Sequence, residues 1–486
     1  AIAVAAMISG TLNNEWLRAI RRWSLASWTI QTTGLVLGAW WAYHVLGWGG
    51  YWSWDPVENA ALLPWLTMTA FLHSAMVQER RGMLKVWNLC LVFASFALSI
   101  FGTFEVRSGI ISSVHSFAYS DIGGYYFAFL AIVLLFSLGL FFFRLPKLRA
   151  EQEYDSIVSR EGVFLLNNLL LVGIAFATLW GTLFPLISAA LRHQTMTVGP
   201  DFYNHVVGPL AVVLVLAMGV GPLLAWRRTS SAALWRNLCV PAILAALCAV
   251  ILPLTGMTSV LPNIGFSVCV FTAGTIFYEL WRGARVRHSH GEPYILALFM
   301  LFRRYRQRYG GYVVHLGFVL LAVGIIGSQF FQTEHDAVLK PGQEININGY
   351  RLAYFGNITT TESDKQTISA QLQVWHNGQL LEYIYPGRTL YNNYPDQPTS
   401  QISITTLDFT DLYVFLADWN GAGQATIRVF INPLVPLIWL GAVFMLLGGV
   451  ICWWPARVAP YARERRATSQ VPAGVTAGVV DKEVTA

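Results

Sequence analysis

Charge is what this chain has least of. Asp, Glu, Lys and Arg together make up 12% of its 486 residues, roughly half the share usual in soluble domains. Hydrophobic residues reach 55% and mean hydropathy is +0.49. That balance excludes an ordinary water-soluble domain and defines a polytopic membrane protein, since about twenty apolar residues cross a bilayer core. Cysteine is scarce as well. Cys90, Cys239, Cys248, Cys269 and Cys452 form no C-x-x-C pair, which argues against a thiol-disulfide enzyme, and the lack of C-x-x-C-H excludes a covalent c-type haem on this chain. All five fall in or beside apolar runs and read as small core residues. The formal charge of +6 comes in short clusters between those runs, so it reports membrane orientation and excludes a nucleic-acid footprint.

Long apolar runs are what the sequence has in excess. Complete spans are expected near 25–47, 60–78, 86–104, 124–143, 163–184, 207–226, 237–255, 264–281, 312–331 and 431–453, and residues 1–9 read as the tail of another. The chain starts at Ala1 in mid-run and is expected to be a fragment or processed product. Short cytoplasmic loops hold Lys and Arg in excess. Arg18, Arg21 and Arg22, then Arg80, Arg81 and Lys85, then Arg144, Lys147 and Arg149 mark alternate connections. Arg227, Arg228 and Arg236, the run from Arg282 to Arg308, and Arg457 to Arg466 continue the pattern. The other connections face outward, to the periplasm in a Gram-negative cell.

Four parts follow: a bundle over 1–331, an outer soluble module over 332–429, a last span over 430–456 and an inner tail over 457–486, polar and expected to be disordered after Arg466. The module alternates apolar and polar residues, as in Ser369-Ala370-Gln371-Leu372-Gln373-Val374-Trp375, and Asn377-Gly378 predicts a tight hairpin. A small β-sandwich or barrel without a metal or nucleophile cluster is expected, suited to docking another protein. Residues 292–301 are too short to span and predict an amphipathic helix at the inner surface. The fold class is therefore an all-α membrane bundle with a small β-rich outer domain, surrounded by lipid.

Residues 48–59, Trp48-Gly49-Gly50-Tyr51-Trp52-Ser53-Trp54-Asp55-Pro56-Val57-Glu58-Asn59, stand out. Indoles give rigid apolar area suited to a flat ligand, and glycines let the backbone approach closely; an interfacial aromatic belt is the bland alternative. Asp55 before Pro56 fixes a turn, and Glu58 and Asn59 can take up donors at the next helix start.

Depth sorts the histidines. His73 lies six residues before Glu79-Arg80-Arg81 and His315 seven after Arg308, so at 1.5 Å per residue both sit roughly 10 Å above the inner boundary. They could be trans-axial ligands of one haem iron, or two unrelated histidines bonded to neighbouring groups. His115 lies in an outward loop where an imidazole could ligate a surface haem, with Arg107 placed to pair with a propionate or to hold a helix end. His44, His193 and His205 are also near the outer side and read as surface residues.

The string from Trp48 to Ala60 closely resembles the WWD signature of the haem-handling family of cytochrome c maturation, in its CcmF branch. The likeness extends to Leu72-His73-Ser74, Arg107-Ser108-Gly109, Ser113-Val114-His115-Ser116-Phe117-Ala118, Gly311-Tyr312-Val313-Val314-His315-Leu316-Gly317 and Asn432-Pro433-Leu434-Val435. The resemblance implies a bis-histidine membrane haem b on His73 and His315. It also implies a substrate haem held at the outer face against Trp48, Gly49, Gly50, Trp52, Trp54 and Asp55, with His115 as one axial ligand. The second outer ligand of the family belongs to a His-Pro-Pro segment that would precede Ala1. The implied activity is haem lyase: haem from a CcmE-like chaperone is attached to the C-x-x-C-H thiols of apocytochrome c, delivered with a CcmH-like thiol reductant, while quinol could reduce the membrane haem. Alternatives are the paralogue serving a nitrite-reductase cytochrome, a haem transporter, and a quinol-linked respiratory subunit. Against a transporter, the spans after residue 163 read as almost wholly apolar.

Overall fold

The computed structural model describes residues 1–11, 14–111, 113, 122–148, 155–420 and 423–454. Its first part is a helical bundle: α1 (Ile2–Ser9), α2 (Asn14–Val45), α3 (Pro56–Arg81), α4 (Lys85–Ser108), α5 (Gly123–Arg144), α6 (Arg160–Arg192), α7 (Pro200–Val220), α8 (Ser231–Leu254), α9 (Val260–His288), α10 (Tyr294–Arg304) and α11 (Arg306–Phe331). Among the described residues nine helices are long and apolar enough to cross a membrane: α3 to α9, α11, and α12 (Val435–Trp453) beyond the outer module. The expected first span, 25–47, falls on the second part of α2 and runs two residues past its end at Val45; α2 falls short of that hydropathy because Trp, Thr and Gln recur along it. α1, with Ala3, Ala6 and Met7 buried, occupies the expected partial span. α10 is the short helix anticipated near 292–301; its Ala297 and Leu301 are buried while Ile295 and Phe299 are exposed.

Between α11 and α12 stands the β module: β1 (Thr333–Leu339), β2 (Glu344–Ile347), β3 (Tyr350–Thr361), β4 (Lys365–His376), β5 (Gln379–Ile384), β6 (Gly387–Tyr391), β7 (Tyr394–Gln401), β8 (Ser403–Leu407), β9 (Thr410–Trp419) and β10 (Ala425–Pro433). One sheet has the order β1-β10-β9-β8; the other has β2-β3-β4-β6-β7, with β5 also on β4. Period-2 alternation puts Leu352, Tyr354, Leu372, Val374, Leu412, Val414, Leu416, Ile427 and Val429 into one core between the sheets. Asn377 (φ 49°) and Gly378 (φ 84°) make the predicted two-residue turn, pairing His376 with Gln379.

The start of the last span differs from the sequence expectation. Residues 431–433, assigned to the last span, are the end of β10, and α12 starts only at Val435. Hydropathy cannot mark this border, because β10 is itself buried and apolar; the chain turns at Leu434 (φ 64°).

Glycines weld α11 to α12. A Cβ on Gly317 would stand 2.5 Å from the Gly441 carbonyl oxygen, and one on Gly448 2.6 Å from the Val314 nitrogen, which is the close backbone approach that small residues permit between membrane helices. Gly317→Leu is expected to force the pair apart. Overpacking costs about 1–3 kcal/mol even where side chains can yield, and here the obstacle is backbone, so the thermal midpoint of the purified protein should fall by several degrees or the protein should fail to accumulate. An unchanged midpoint would contradict this seam.

Candidate functional site

α3 carries both candidate sites, one at each end. At its start Asp55 is the N-cap: its carboxylate accepts from the Val57 amide (3.1 Å) and from Ser113 Oγ (2.5 Å). Glu58 reaches back to the amides of Asp55 (3.1 Å) and Ser53 (2.9 Å), completing a capping box. Asp55 and Glu58 thus set the entry angle of the tryptophan loop. Trp54 adopts φ 59°, a left-handed conformation costly for a bulky residue. Its indole stacks on Tyr203 of α7 (4.9 Å, 8°) and donates to Asn204 (2.9 Å), while Trp52 meets it edge-on at 5.9 Å.

The loop glycines serve packing within the protein. A Cβ on Gly49 would come within 2.7 Å of the Phe430 ring on β10, and one on Gly50 would enter the indole of Trp48. The sequence reading gave these glycines to the ligand's approach; in the structure Phe430 and Trp48 occupy that space. Trp48, Trp52 and Trp54 are each half-buried.

Four residues to which sequence reasoning gave no role tie the loop to the β module. Asn432 on β10 donates to the Gly49 carbonyl (3.1 Å) and to the Tyr43 hydroxyl (2.9 Å), and accepts from Gln332 (2.6 Å). Tyr43 of α2 donates in turn to Asp411 of β9 (3.0 Å). Burial raises the Asp411 carboxyl above its usual range, against hydrogen bonds from Thr406 and Tyr43. The only sequence signal for this knot is the Asn432-Pro433 pair, which lay inside a stretch read as membrane span. Also missed were Trp40 and Trp41, exposed beside the loop, with His44 stacked on Trp40 at 4.1 Å and bonded to its carbonyl.

Of the remaining outer candidates, Arg107 is exposed in the last turn of α4, just before Gly109 ends the helix at φ 64°. His115 lies outside the described residues. His193 and His205 are both exposed, and His205 is bonded to the Asp201 carbonyl.

Lower in the bundle α3 and α11 bring His73 and His315 together. Their imidazoles stand 6.2 Å apart, centre to centre, with planes inclined by only 7°. Nδ1 of His73 bonds the Thr69 carbonyl (2.8 Å), fixing the ring and leaving Nε2 free; Nδ1 of His315 is buried without a partner. Phe164 of α6 closes one side, 5.9 Å from His73. With metal–imidazole bonds of about 2 Å and about 1 Å from ring nitrogen to ring centre, two ligands on opposite sides of one ion stand about 6 Å apart, so the pair has the spacing for trans coordination.

The spans after residue 163 prove less apolar than expected. Asn168 of α6 and Glu279 of α9 are 0% and 1% exposed, and Glu279 bonds Arg308 (2.5 Å) and Arg282 (2.7 Å).

A bundle of membrane-crossing helices with a tryptophan-rich loop at one end and a β-sandwich beyond it defines a multi-pass membrane protein, and the comparisons assign it to cytochrome c biogenesis. Residues 4–112 match the cytochrome c assembly protein family and residues 330–433 the CcmF C-terminal β-sandwich. The cytochrome c-type biogenesis protein CycK of Bradyrhizobium diazoefficiens is 36% identical over 92% of this chain and 68% of its own length. The cytochrome c-type biogenesis protein CcmF of Haemophilus influenzae is 33% identical over 94% and 70%. A solved structure titled cytochrome c heme lyase CcmF superposes with a TM-score of 0.77 at 30% identity, over 93% of this chain and 69% of that one. The chain belongs to the CcmF family.

Proposed function

We propose that this protein is a haem lyase component of the bacterial inner membrane that joins haem to apocytochrome c at its periplasmic face. The observation that carries the reading is the parallel pair His73 and His315. Among the described residues no group of three or more His, Cys, Asp or Glu could hold a metal ion. Two opposed imidazoles therefore suit an ion whose other positions a macrocycle fills, and the unpaired Nδ1 and the 6.2 Å spacing fit a haem b there. Such a haem, when bound, supplies one-electron reduction, with quinol as the fitting donor class.

The outer site takes haem as substrate. Trp48, Trp52 and Trp54 form the platform and His115 ligates the iron, with a CcmE-like chaperone as source and a CcmH-like partner delivering reduced apocytochrome. Each thiol adds across a vinyl group, the sulfur bonding the α-carbon and the thiol proton ending on the β-carbon. The chain's share of this work is orientation: the capped, strained turn at Trp54 and Asp55 holds the platform, and Arg107 is available to a propionate. The second outer ligand and the choice between a general and a nitrite-reductase client belong to the same proposal.

Trp48→Ala with Trp52→Ala tests it. Trp54 is left in place because Tyr203 holds it. Aromatic stacking is worth roughly 1–3 kcal/mol per contact in related π-stacking systems, so the double variant should capture haem from the chaperone at least tenfold more weakly while keeping the b-type spectrum. Loss of the internal haem instead would make the loop purely structural.

A further inference from the structure

A surplus of positive charge lies one to two helical turns inward of the paired imidazoles. Glu279 of α9, its side chain fully buried, is shared by Arg308 and Arg282, and Arg308 Nε also donates to the Tyr312 hydroxyl at 3.1 Å. Arg160, at the start of α6, lies within electrostatic range of Tyr312, Arg308 and Glu279. Glu161 also acts on it at a distance, but its carboxylate is engaged by Arg81 (3.1 Å) and by the Arg227 amide (2.9 Å). Arg160 makes no ion pair among the described residues. One terminal nitrogen donates to the Pro222 carbonyl (2.8 Å), its guanidinium stands 5.6 Å from the Trp226 ring, and its Nε is buried without a partner. A cation without an ion pair among the described residues, in a low-dielectric setting, is stabilised when an anion completes it.

The register points at the same ligand. Phe164, whose ring lies against His73, is one turn outward of Arg160 on α6; Tyr312, bonded to Arg308, is one turn inward of His315 on α11. Arg160 and Arg308 thus border the inner mouth of the gap between the imidazoles. One turn outward stand Thr69, Ala70, Asn168, Phe318 and Val319, none of which carries a positive charge to meet a carboxylate.

We propose that Arg160 and Arg308 bind the two propionate carboxylates of the macrocycle held by His73 and His315, fixing its charged edge inward and its vinyl edge outward. This rests on the haem b reading above. Guanidinium forks suit carboxylates bidentately, and Arg160 has the free donor such a pair needs.

The test compares protohaem with its dimethyl ester, which has the same ring and iron but no carboxylates. Protein produced without haem is titrated with each, and the low-spin Soret band reports binding. Wild type is expected to prefer protohaem by at least about tenfold, the equivalent of one hydrogen bond to a charged group. Arg160→Met and Arg308→Met should each shrink that preference toward unity while the low-spin band persists with the ester, and Arg160→Lys should recover part of it. Equal affinity of wild type for both compounds, or an undiminished preference in both Met variants, overturns the proposal. Wild type that takes up neither compound in low-spin form overturns the His73–His315 reading itself, and the arginine assignment with it.

Discussion

With a haem b held as proposed, the purified parent is expected to show a low-spin b-type absorption, and His73→Ala or His315→Ala protein to lack it. Substitution of a residue that merely orients a metal ligand costs 10–100-fold in affinity, so removing the ligand should cost at least about 100-fold and leave the protein nearly haem-free. The imidazoles are parallel within 7°, and with one gone the iron keeps at most a single protein ligand and becomes high-spin. His44→Ala is the control: that ring is committed to Trp40 and its loss should leave the spectrum unchanged. Full haem retention in both single variants would sink the assignment.

The second large effect is expected at the junction of loop and β-sandwich. Gly49→Ala places a Cβ against the Phe430 ring at a residue with φ 75°, adding a left-handed penalty of about 1–2 kcal/mol to a steric clash. Asn432→Ala removes two donors and an acceptor, stranding the Gly49 carbonyl, the Tyr43 hydroxyl and the Gln332 amide, at about 1–3 kcal/mol for each buried group left unsatisfied. Both variants should lower the thermal midpoint and cut cytochrome c maturation severely, while the b-type spectrum proposed for the histidine pair on α3 and α11 should survive. Wild-type maturation in either one would show that the loop does not depend on the sandwich.

These two regions were legible in the sequence to different degrees. The histidine pair could be found because helix rise is fixed: counting from Arg80 and from Arg308 gave matched depths, and helix packing did the rest. The hairpin at Asn377-Gly378 was legible for a similar reason, since only a few residues tolerate positive φ at both turn positions. The role of Gly49 was not. Its partner Phe430 lies almost the whole chain away, and nothing local distinguishes a glycine that admits a ligand from one that admits a ring of the same protein. The start of α12 was hidden because a buried strand and a membrane helix share the same apolar composition. Arg160 carried no signal in the sequence; its lack of an ion pair among the described residues appears only once Glu161 is seen turned toward Arg81.

The glycine seam between α11 and α12 has a bearing on how a folded or unfolded client could be handled. Because the β-sandwich is inserted between these two helices, both of its stems leave the membrane side by side from a single rigid post. A module on one stem could swing; one on two welded stems works as a fixed gauge. For a client resting on it as proposed, the reach from landing surface to tryptophan loop would be a built-in length, and spacing along the client, more than its sequence, would decide which segment arrives.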